Sequence, residues 1–304
     1  MGKYVAKRTL LAIFTVFIIS AITFFTMHSI PGDPFTSEKE VPPSVRAAME
    51  ERFNLTKPKP VQYALYMKGI LTKNDWGISM KDGRDIWTTI TSRLGVSARL
   101  GLTAAAVAIV IGLVLGCTAA LNRNKLPDRI IVFMVTLFNA LPSFVFGTLL
   151  LLVFCMQLKL VPVWDPEKPN YLLPIIALAA APMAQITRLT KTSMLDALSQ
   201  DYIRTARAKG VKQIFVVFKH ALRNALIPVI TYIGPMVAYI LTGSMVVESI
   251  FTIGGLGSKF VSSITDRDYT LIMGTTLFLA ILMVIANLIT DIVYTLVDPR
   301  IRLE

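Results

Sequence analysis

Residues 201–212, DYIRTARAKGVK, combine cationic and small side chains in a way that suits an acidic partner surface. Arg204, Arg207, Lys209 and Lys212 place their positive charges within twelve residues. Small residues at positions 205, 206 and 208 would let a partner approach the backbone closely. Such a segment could contact nucleic acid, fix the orientation of a membrane protein by its charge, or receive another protein.

The same segment is predicted to form a helix from about Asp201 to Lys209. Asp201 suits the positive end of the helix dipole, and Arg207 and Lys209 suit its negative end. Gly210 follows as a C-terminal stop, because glycine readily adopts the left-handed conformation that ends many helices. Tyr202 could then fill a pocket on a docked partner while the arginines pair with acidic groups.

The chain offers little for catalysis. Its two histidines, His28 and His220, lie far apart, and the sequence has no phosphate-binding loop, His-Glu-x-x-His or Gly-x-Ser-x-Gly motif. Cys117 and Cys155 lie in apolar runs, where they are interpreted as packing residues. The 13 methionines are ordinary packing material of apolar helices. We therefore predict no catalytic residue, no metal site and no cofactor on this chain.

Six long apolar runs indicate the fold class. The 304 residues are 54% hydrophobic and only 16% charged, and about 20 apolar helical residues span a hydrocarbon core of about 30 Å. The run at 172–187 is short, but Arg188 and Lys191 beyond it can reach the interface. No run alternates with the period of two that a membrane barrel requires. We predict an all-α polytopic protein with six transmembrane helices, at 10–27, 100–121, 130–156, 172–187, 225–247 and 269–290.

The distribution of Lys and Arg predicts the orientation in the membrane. Basic residues concentrate at the N-terminus and in the second–third and fourth–fifth connections, so the positive-inside rule places both termini in the cytoplasm. The first loop is basic too, but loops beyond about 60 residues cross regardless of charge. Topology thus explains the net charge of +12, and nucleic acid is not an expected partner. The first run lacks a cleavage site and is interpreted as an uncleaved helix.

Three segments organise the chain. Residues 1–29 form the N-terminus and first span, 30–98 an extracytoplasmic subdomain, and 99–304 the core. The subdomain is predicted to hold short helices after Ser44 and from Pro60, and an amphipathic helix that leads into the second span, with apolar residues Ile86, Ile90 and Leu94.

A cytoplasmic loop at about 191–224 belongs to the core. After the helix described above, it is predicted to contain an amphipathic helix at the membrane interface. The apolar face of this helix is predicted to comprise Ile214, Phe218, Leu222 and Ala225.

A second candidate site lies at 243–260. Glu248 follows an apolar run, with Phe251 close by, and Gly255 and Gly257 lie in a glycine-rich break. A re-entrant turn near the outer mouth of a pathway would fit; the alternative is a plain extracellular loop with a solvated Glu248. Asp291 is interpreted as an interfacial carboxylate rather than an ion-coupling group.

Several motifs carry a family resemblance. Residues 202–210 followed by 220–228 (HALRNALIP) resemble the cytoplasmic signature of the membrane-spanning permeases of ATP-binding-cassette (ABC) importers, in the oligopeptide/dipeptide/nickel permease family. Arg204-Thr205-Ala206 stands where the general signature has Glu-Ala-Ala, which is the form of the peptide branch. Gly254 stands where the family often has proline. The other matches, in order along the chain, are IPGDP at 30–34, VESIF at 247–251, RDY at 267–269 and VDPR at 297–300.

The resemblance implies a type I importer permease fold in the bacterial inner (cytoplasmic) membrane, as the first, or B-type, permease of a peptide importer. Expected partners are a homologous second permease, two cytoplasmic ATPases that bind ATP and Mg²⁺, and an extracytoplasmic solute-binding protein that delivers oligopeptides or dipeptides. The alternatives are nickel or another small solute, an ion-coupled secondary carrier and a membrane enzyme.

The resemblance also assigns roles to the two candidate sites. The helix at about 201–210 would be the coupling helix, which docks in a cleft of one ATPase. The outer gate or pathway would include Glu248, Phe251, Gly255 and Gly257. The ATPase-docking residues would be Tyr202, Arg204, Thr205, Ala206, Arg207, Ala208, Lys209 and Gly210.

Overall fold

The computed structural model describes residues 2–30, 32, 34–35 and 42–297. Within that part the chain is helical apart from loops and one isolated bridge between Ile78 and Asp85. The helices are α1 (Gly2–Met27), α2 (Pro43–Arg52), α3 (Lys59–Lys73), α4 (Ile86–Leu121), α5 (Leu126–Ala140), α6 (Ser143–Leu150), α7 (Leu172–Leu198), α8 (Asp201–Ala208), α9 (Gln213–Phe215), α10 (Leu222–Gly243), α11 (Met245–Ile250), α12 (Leu256–Thr265) and α13 (Tyr269–Val297).

Five stretches of the described chain are long and apolar enough to cross a membrane: Ala6–Met27, Ile86–Leu121, Leu172–Leu198, Gln213–Ile250 and Tyr269–Thr290. The predicted third span is a bent pair instead. Its halves, Leu126–Ala140 and Ser143–Gln157, meet at 104° around Pro142, because proline removes a backbone donor and disfavours helical geometry in the residue before it. The number of spans is six if the bent pair counts as one.

The predicted helices of the segment after α1 are confirmed. Pro43 and Pro60 stand in the first turns of α2 and α3, where a missing N–H leaves no helical hydrogen bond unmade. The amphipathic helix around Ile86 is not separate from the second span. It continues into that span as α4, a single helix of 36 residues.

One compact unit comprises Met1–Val96 and Gly254–Val284. Its core packs Trp76, Ile86 and Leu271 together. The buried Asp268 carboxylate accepts hydrogen bonds from Ser79 Oγ at 2.5 Å and from the Met80 amide at 3.1 Å. Asp268 thereby ties the loop after α3 to the start of α13.

The other unit comprises Ser97–Ile253 and Ile285–Glu304, with α7 at its centre. Helix α7 packs against α5, α6, α10 and α11. It also approaches α4 closely: a Cβ added at Gly116 would lie 2.5 Å from Thr190 Cβ. Small residues permit such close packing between membrane helices.

The predicted apolar face of the second loop helix divides into two parts. Ile214 and Phe218 are 60% and 57% exposed on the chain, as side chains that face a membrane surface would be, whereas Ala225, Val216 and Val217 are buried within the chain. The contact with the membrane interface stays a prediction. Residues Val216–Ala221 form a π-helical turn that joins α9 to α10. Such a turn holds more residues than an α-helical turn and rotates the face that points inward.

Some predictions fall outside the described residues. Pro31 and Asp33 of the 30–34 motif, and the 298–300 part of the terminal motif, are among them, and so is the side chain of Asp291. The division into segments 1–29, 30–98 and 99–304 stays a prediction.

Candidate coupling helix and Glu248 turn

Helix α8 begins and ends as its local sequence predicts. Asp201 lies in its first turn and Arg207 in its last. Gly210 has φ +75°; its amide donates to Arg207 O at 2.9 Å, and the Val211 amide donates to Ala206 O at 3.2 Å. These two bonds form a Schellman motif, in which a left-handed residue satisfies the last carbonyls of the helix. Gly210 thus turns the chain back sharply after α8.

One face of α8 is anchored to its own chain. Ile203 is fully buried and Ala206 is 7% exposed. Both pack in a cluster with Met194 and Ala197 of α7 and Val216 and Val217 of the π-helical turn. The expectation that Ala206 offers docking surface is therefore corrected: its three-residue spacing from Ile203 puts it on the buried face.

The opposite face of α8 is exposed and basic. Its only intrahelical ion pair joins Arg204 Nη1 to Asp201 Oδ1 at 3.5 Å, with side chains 79% and 94% exposed, so solvent screens the pair strongly. The exposed residues are Tyr202, Arg204, Thr205, Arg207, Ala208, Lys209 and Gly210. Seven of the eight predicted docking positions are thus accessible, and an acidic cleft would meet several cations at once.

Tyr202 has a contact that the sequence did not suggest. Its hydroxyl accepts a hydrogen bond from Asn224 Nδ2 at 2.9 Å, although the residue stays 39% exposed. Asn224 lies in the first turn of α10. The bond therefore links α8 directly to the base of a predicted span.

An ion pair between α5 and α7 was also missed. Lys191 Nζ of α7 lies 2.5 Å from Asp128 Oδ1 of α5, and the Asp128 side chain is only 6% exposed. From the sequence, Lys191 is expected to reach the membrane interface, and Asp128 has no predicted role. The available signal was one carboxylate in the basic second–third connection, but its partner lies 63 positions away in sequence (191 − 128).

The second candidate site, the Glu248 turn (residues 244–253), is buried. Glu248 is 0% exposed and Phe251 is 2% exposed, and the Ser244 hydroxyl donates to Glu248 Oε1 at 2.5 Å. A plain loop with a solvated Glu248 is therefore excluded. Helix α11 packs on α6 and α7, where a Cβ added at Gly147 would lie 3.5 Å from the Phe251 ring.

The glycines of the predicted outer site lie at the start of α12. Gly255 precedes this helix in an extended conformation, and Gly257 is buried in its first turn. Gly254, which stands in place of a proline, has its carbonyl held by Arg93 Nη1 at 3.1 Å. This hydrogen bond from a side chain of α4 restrains the backbone at Gly254.

Comparisons with known proteins agree along the whole chain. The family described as the binding-protein-dependent transport system inner membrane component matches residues 100–303, and its N-terminal counterpart matches residues 1–101. The chain is 44% identical to the dipeptide transport system permease protein DppB of Bacillus subtilis, covering 100% of this chain and 99% of the relative. It is 42% identical to the oligopeptide transport system permease protein OppB of Haemophilus influenzae, covering 99% and 100%.

Two solved structures share the fold. A chain of an amino acid ABC transporter superposes with a TM-score of 0.56 at 15% identity, covering 68% of this chain and 94% of that one. A chain of the MetNI methionine ABC transporter, in inward-facing conformations, also gives 0.56, at 16% identity, covering 70% and 97%. The chain belongs to the family of binding-protein-dependent transport system inner membrane components.

Proposed function

We propose that this chain is the permease subunit of an ATP-driven importer of dipeptides or oligopeptides. The printed names of the relatives, dipeptide and oligopeptide transport system permease proteins, support this substrate class. Those relatives match the chain from end to end, so the likeness is not limited to one module. The pathway would lie in the membrane, and ATP with Mg²⁺ would bind to partner chains.

The observation that carries the proposal is the two-sided character of α8. Ile203 and Ala206 fix the helix to α7 and to the base of α10, while its other face presents exposed cations. A helix that only fixed topology would need positive charge but no anchored face. When the ATPases close on ATP, a force applied to the exposed face would pass through the buried face into the membrane helices.

The assembly follows from the same mechanism. Two homologous permeases form the pathway, each resting with its α8 in a cleft of one ATPase, and a solute-binding protein delivers the peptide from outside. This requires α8 and both termini to face the cytoplasm, which the concentration of Lys and Arg around α8 supports. It also requires the bent pair α5–α6 to act as one of six spans.

The Glu248 turn is proposed to belong to the outer gate. Its buried carboxylate supports this role, because an ionisable group enclosed near the end of a membrane helix is costly and such groups usually mark a functional path. The flanking Gly255 and Gly257 would permit α12 to start close to the turn. Glu248→Ala is expected to lower peptide uptake while leaving ATPase binding intact, measured as uptake per assembled complex and as co-purified ATPase.

The test of the whole proposal is purification of the intact complex, followed by a ligand screen. The chain is expected to co-purify with a second permease and ATPases, and dipeptides or oligopeptides with the binding protein are expected to stimulate ATP hydrolysis. If nickel ions stimulate ATP hydrolysis and peptides do not, the chain is a permease for nickel and not for peptides. Transport by this chain alone, driven by an ion gradient, would overturn the importer.

A further inference from the structure

The buried ion pair between Asp128 and Lys191 joins two helices near the coupling helix. Asp128 lies in the first turn of α5, and its second oxygen, Oδ2, accepts the Asn124 amide at 2.9 Å. The carboxylate is therefore held by a cation, a backbone donor and the positive end of its own helix. Lys191 Nζ, at 2.5 Å from Oδ1, is 23% exposed by side chain. The link is short and largely withdrawn from water.

Helix α7 connects this ion pair to α8 over a short distance. Met194, one turn beyond Lys191, is fully buried and packs with Ile203 and Ala206 of α8. Helix α7 ends at Leu198, and α8 begins at Asp201. A displacement of α8 must therefore move the end of α7 that carries Lys191.

Beyond the ion pair, α5 and α7 line a cavity of about 340 Å³. Its walls include Val135 and Asn139 of α5 and Thr187 and Arg188 of α7, and Lys191 lies at its edge. Away from this cavity, α5 and α7 pack directly against each other. The ion pair adds a charged attachment to that packing at the end of α7 that leads to α8.

Helix α5 in turn leads towards the Glu248 turn. After the 104° bend the chain continues as α6, which packs on α7 and α11. On α6, Gly147 lies against Phe251 and Ile250. A contiguous route therefore runs from α8 through α7, the ion pair, α5 and α6 to the Glu248 turn.

We propose that Asp128 and Lys191 form a positioning link that makes α5 move together with α7 and α8, and so transmits the movement of the coupling helix towards the Glu248 turn. The inference rests on the proposed function for the origin of that movement. A buried ion pair suits such a link, because separating its partners leaves an uncompensated charge and so resists partial opening. The two residues touch neither substrate nor ATPase; they act through the helices that they join.

The functional test compares Asp128→Asn, Lys191→Gln and the double variant in the intact importer. Peptide uptake per ATP hydrolysed is expected to fall about tenfold in each single variant, within the usual range of coupling between sites. The double variant is expected to lose no more than the singles, because both remove one shared interaction. Asp128→Glu, which keeps the charge, should retain most of the coupling.

The matched control is Glu50→Gln, which removes an exposed ion pair to Arg46 at 3.0 Å on α2 and should leave the ratio unchanged. Two outcomes contradict the link: a wild-type ratio in both single variants, or a double variant that loses the product of the two effects. A wild-type ratio in which uptake and ATP hydrolysis both fall would assign the pair to assembly alone.

A second measurement needs no peptide and no ATPase. Spin labels at Ile130, exposed on α5, and Thr205, exposed on α8, report the distance between the two helices in the purified chain in nanodiscs, with Cys117 and Cys155 replaced by alanine. A narrow distance distribution is expected for the parent and a broad one for Asp128→Asn. Equal widths overturn the link. If peptides fail to stimulate the complex but the variant broadens the distribution, the proposed substrate fails and the link stands.

Discussion

Helix α8 and the Glu248 turn are both short helical segments next to long apolar ones, but α8 exposes its charged side chains and the Glu248 turn buries its carboxylate. On α8, Ile203 and Ala206 point inward and the cations stay in solvent. In the Glu248 turn the carboxylate itself is enclosed, with the Ser244 hydroxyl as one donor. Charges of α8 are therefore available to a partner, whereas Glu248 acts inside the fold. Changing a charge should leave stability unchanged at α8 and lower it at the turn.

The largest expected effect is at the Glu248 turn. Glu248→Lys is predicted to lower the free energy of unfolding by about 3–5 kcal/mol, the usual cost of an uncompensated buried charge. Glu248→Gln keeps the size and an acceptor for Ser244, so it should cost only about 1 kcal/mol. Thermal unfolding of the purified chain in detergent measures both. A Lys variant as stable as wild type would show that Glu248 faces water and would remove the contrast with α8.

Charge reversal on α8 should show the opposite pattern. Arg207→Glu is predicted to leave thermal unfolding unchanged, because the side chain is exposed, and to lower peptide uptake about tenfold, equivalent to about 1.4 kcal/mol, through repulsion from an acidic cleft. Uptake in vesicles and co-purified ATPase measure the effect. Lys7→Glu is the control, since Lys7 is exposed but lies on α1. If the control lowers uptake equally, the basic charge acts generally and not through α8.

A smaller effect is expected at the end of α8. Gly210 has φ +75°, and no atom lies within 4 Å of an added Cβ, so a substitution there meets strain and not a clash. Gly210→Ala should cost about 1 kcal/mol of stability. Gly210→Asn should cost less, because asparagine tolerates this conformation, as Asn74 and Asn124 do here with φ 52° and 64°. If thermal unfolding shows that Gly210→Ala and Gly210→Asn lose equal stability, the left-handed conformation of Gly210 is not the cause of the loss.

The smallest predicted effect concerns pH at His28, just after α1. Desolvation lowers the pKa of His28 from its ordinary 6.5, the Phe24 carbonyl acts in the opposite sense, and the Lys59 charge lowers it further. Because the folded state favours the neutral imidazole, the stabilisation that His28 contributes to the fold is fully present above pH 6.5. It is lost as the pH falls towards the folded-state pKa. Thermal unfolding measured from pH 8 to pH 5 should show a slight loss that His28→Gln removes. If the His28→Gln variant keeps the same pH dependence, His28 is excluded as the source of the stability loss.

Sequence reasoning was reliable where neighbouring residues set the structure. The limits of α8 follow from Asp201, Arg207 and Gly210 through dipole and cap, and the two short helices predicted after Ser44 and from Pro60 begin at Pro43 and Lys59. It was less reliable where a face depends on what packs against it. Ile214 and Phe218 follow helical spacing and are exposed on the chain, but that spacing did not predict that the π-helical turn buries Val216 and Val217.

The sequence by itself determined the helical class, the apolar runs, the basic coupling segment and, through its motifs, the family, because each depends on composition or on residues close together in the chain. The tertiary structure decided that Glu248 is enclosed, that Ala206 faces inward and that Asp128 meets Lys191. Burial and long-range pairing depend on which separate helices pack together, and no local pattern encodes which partner a residue will meet.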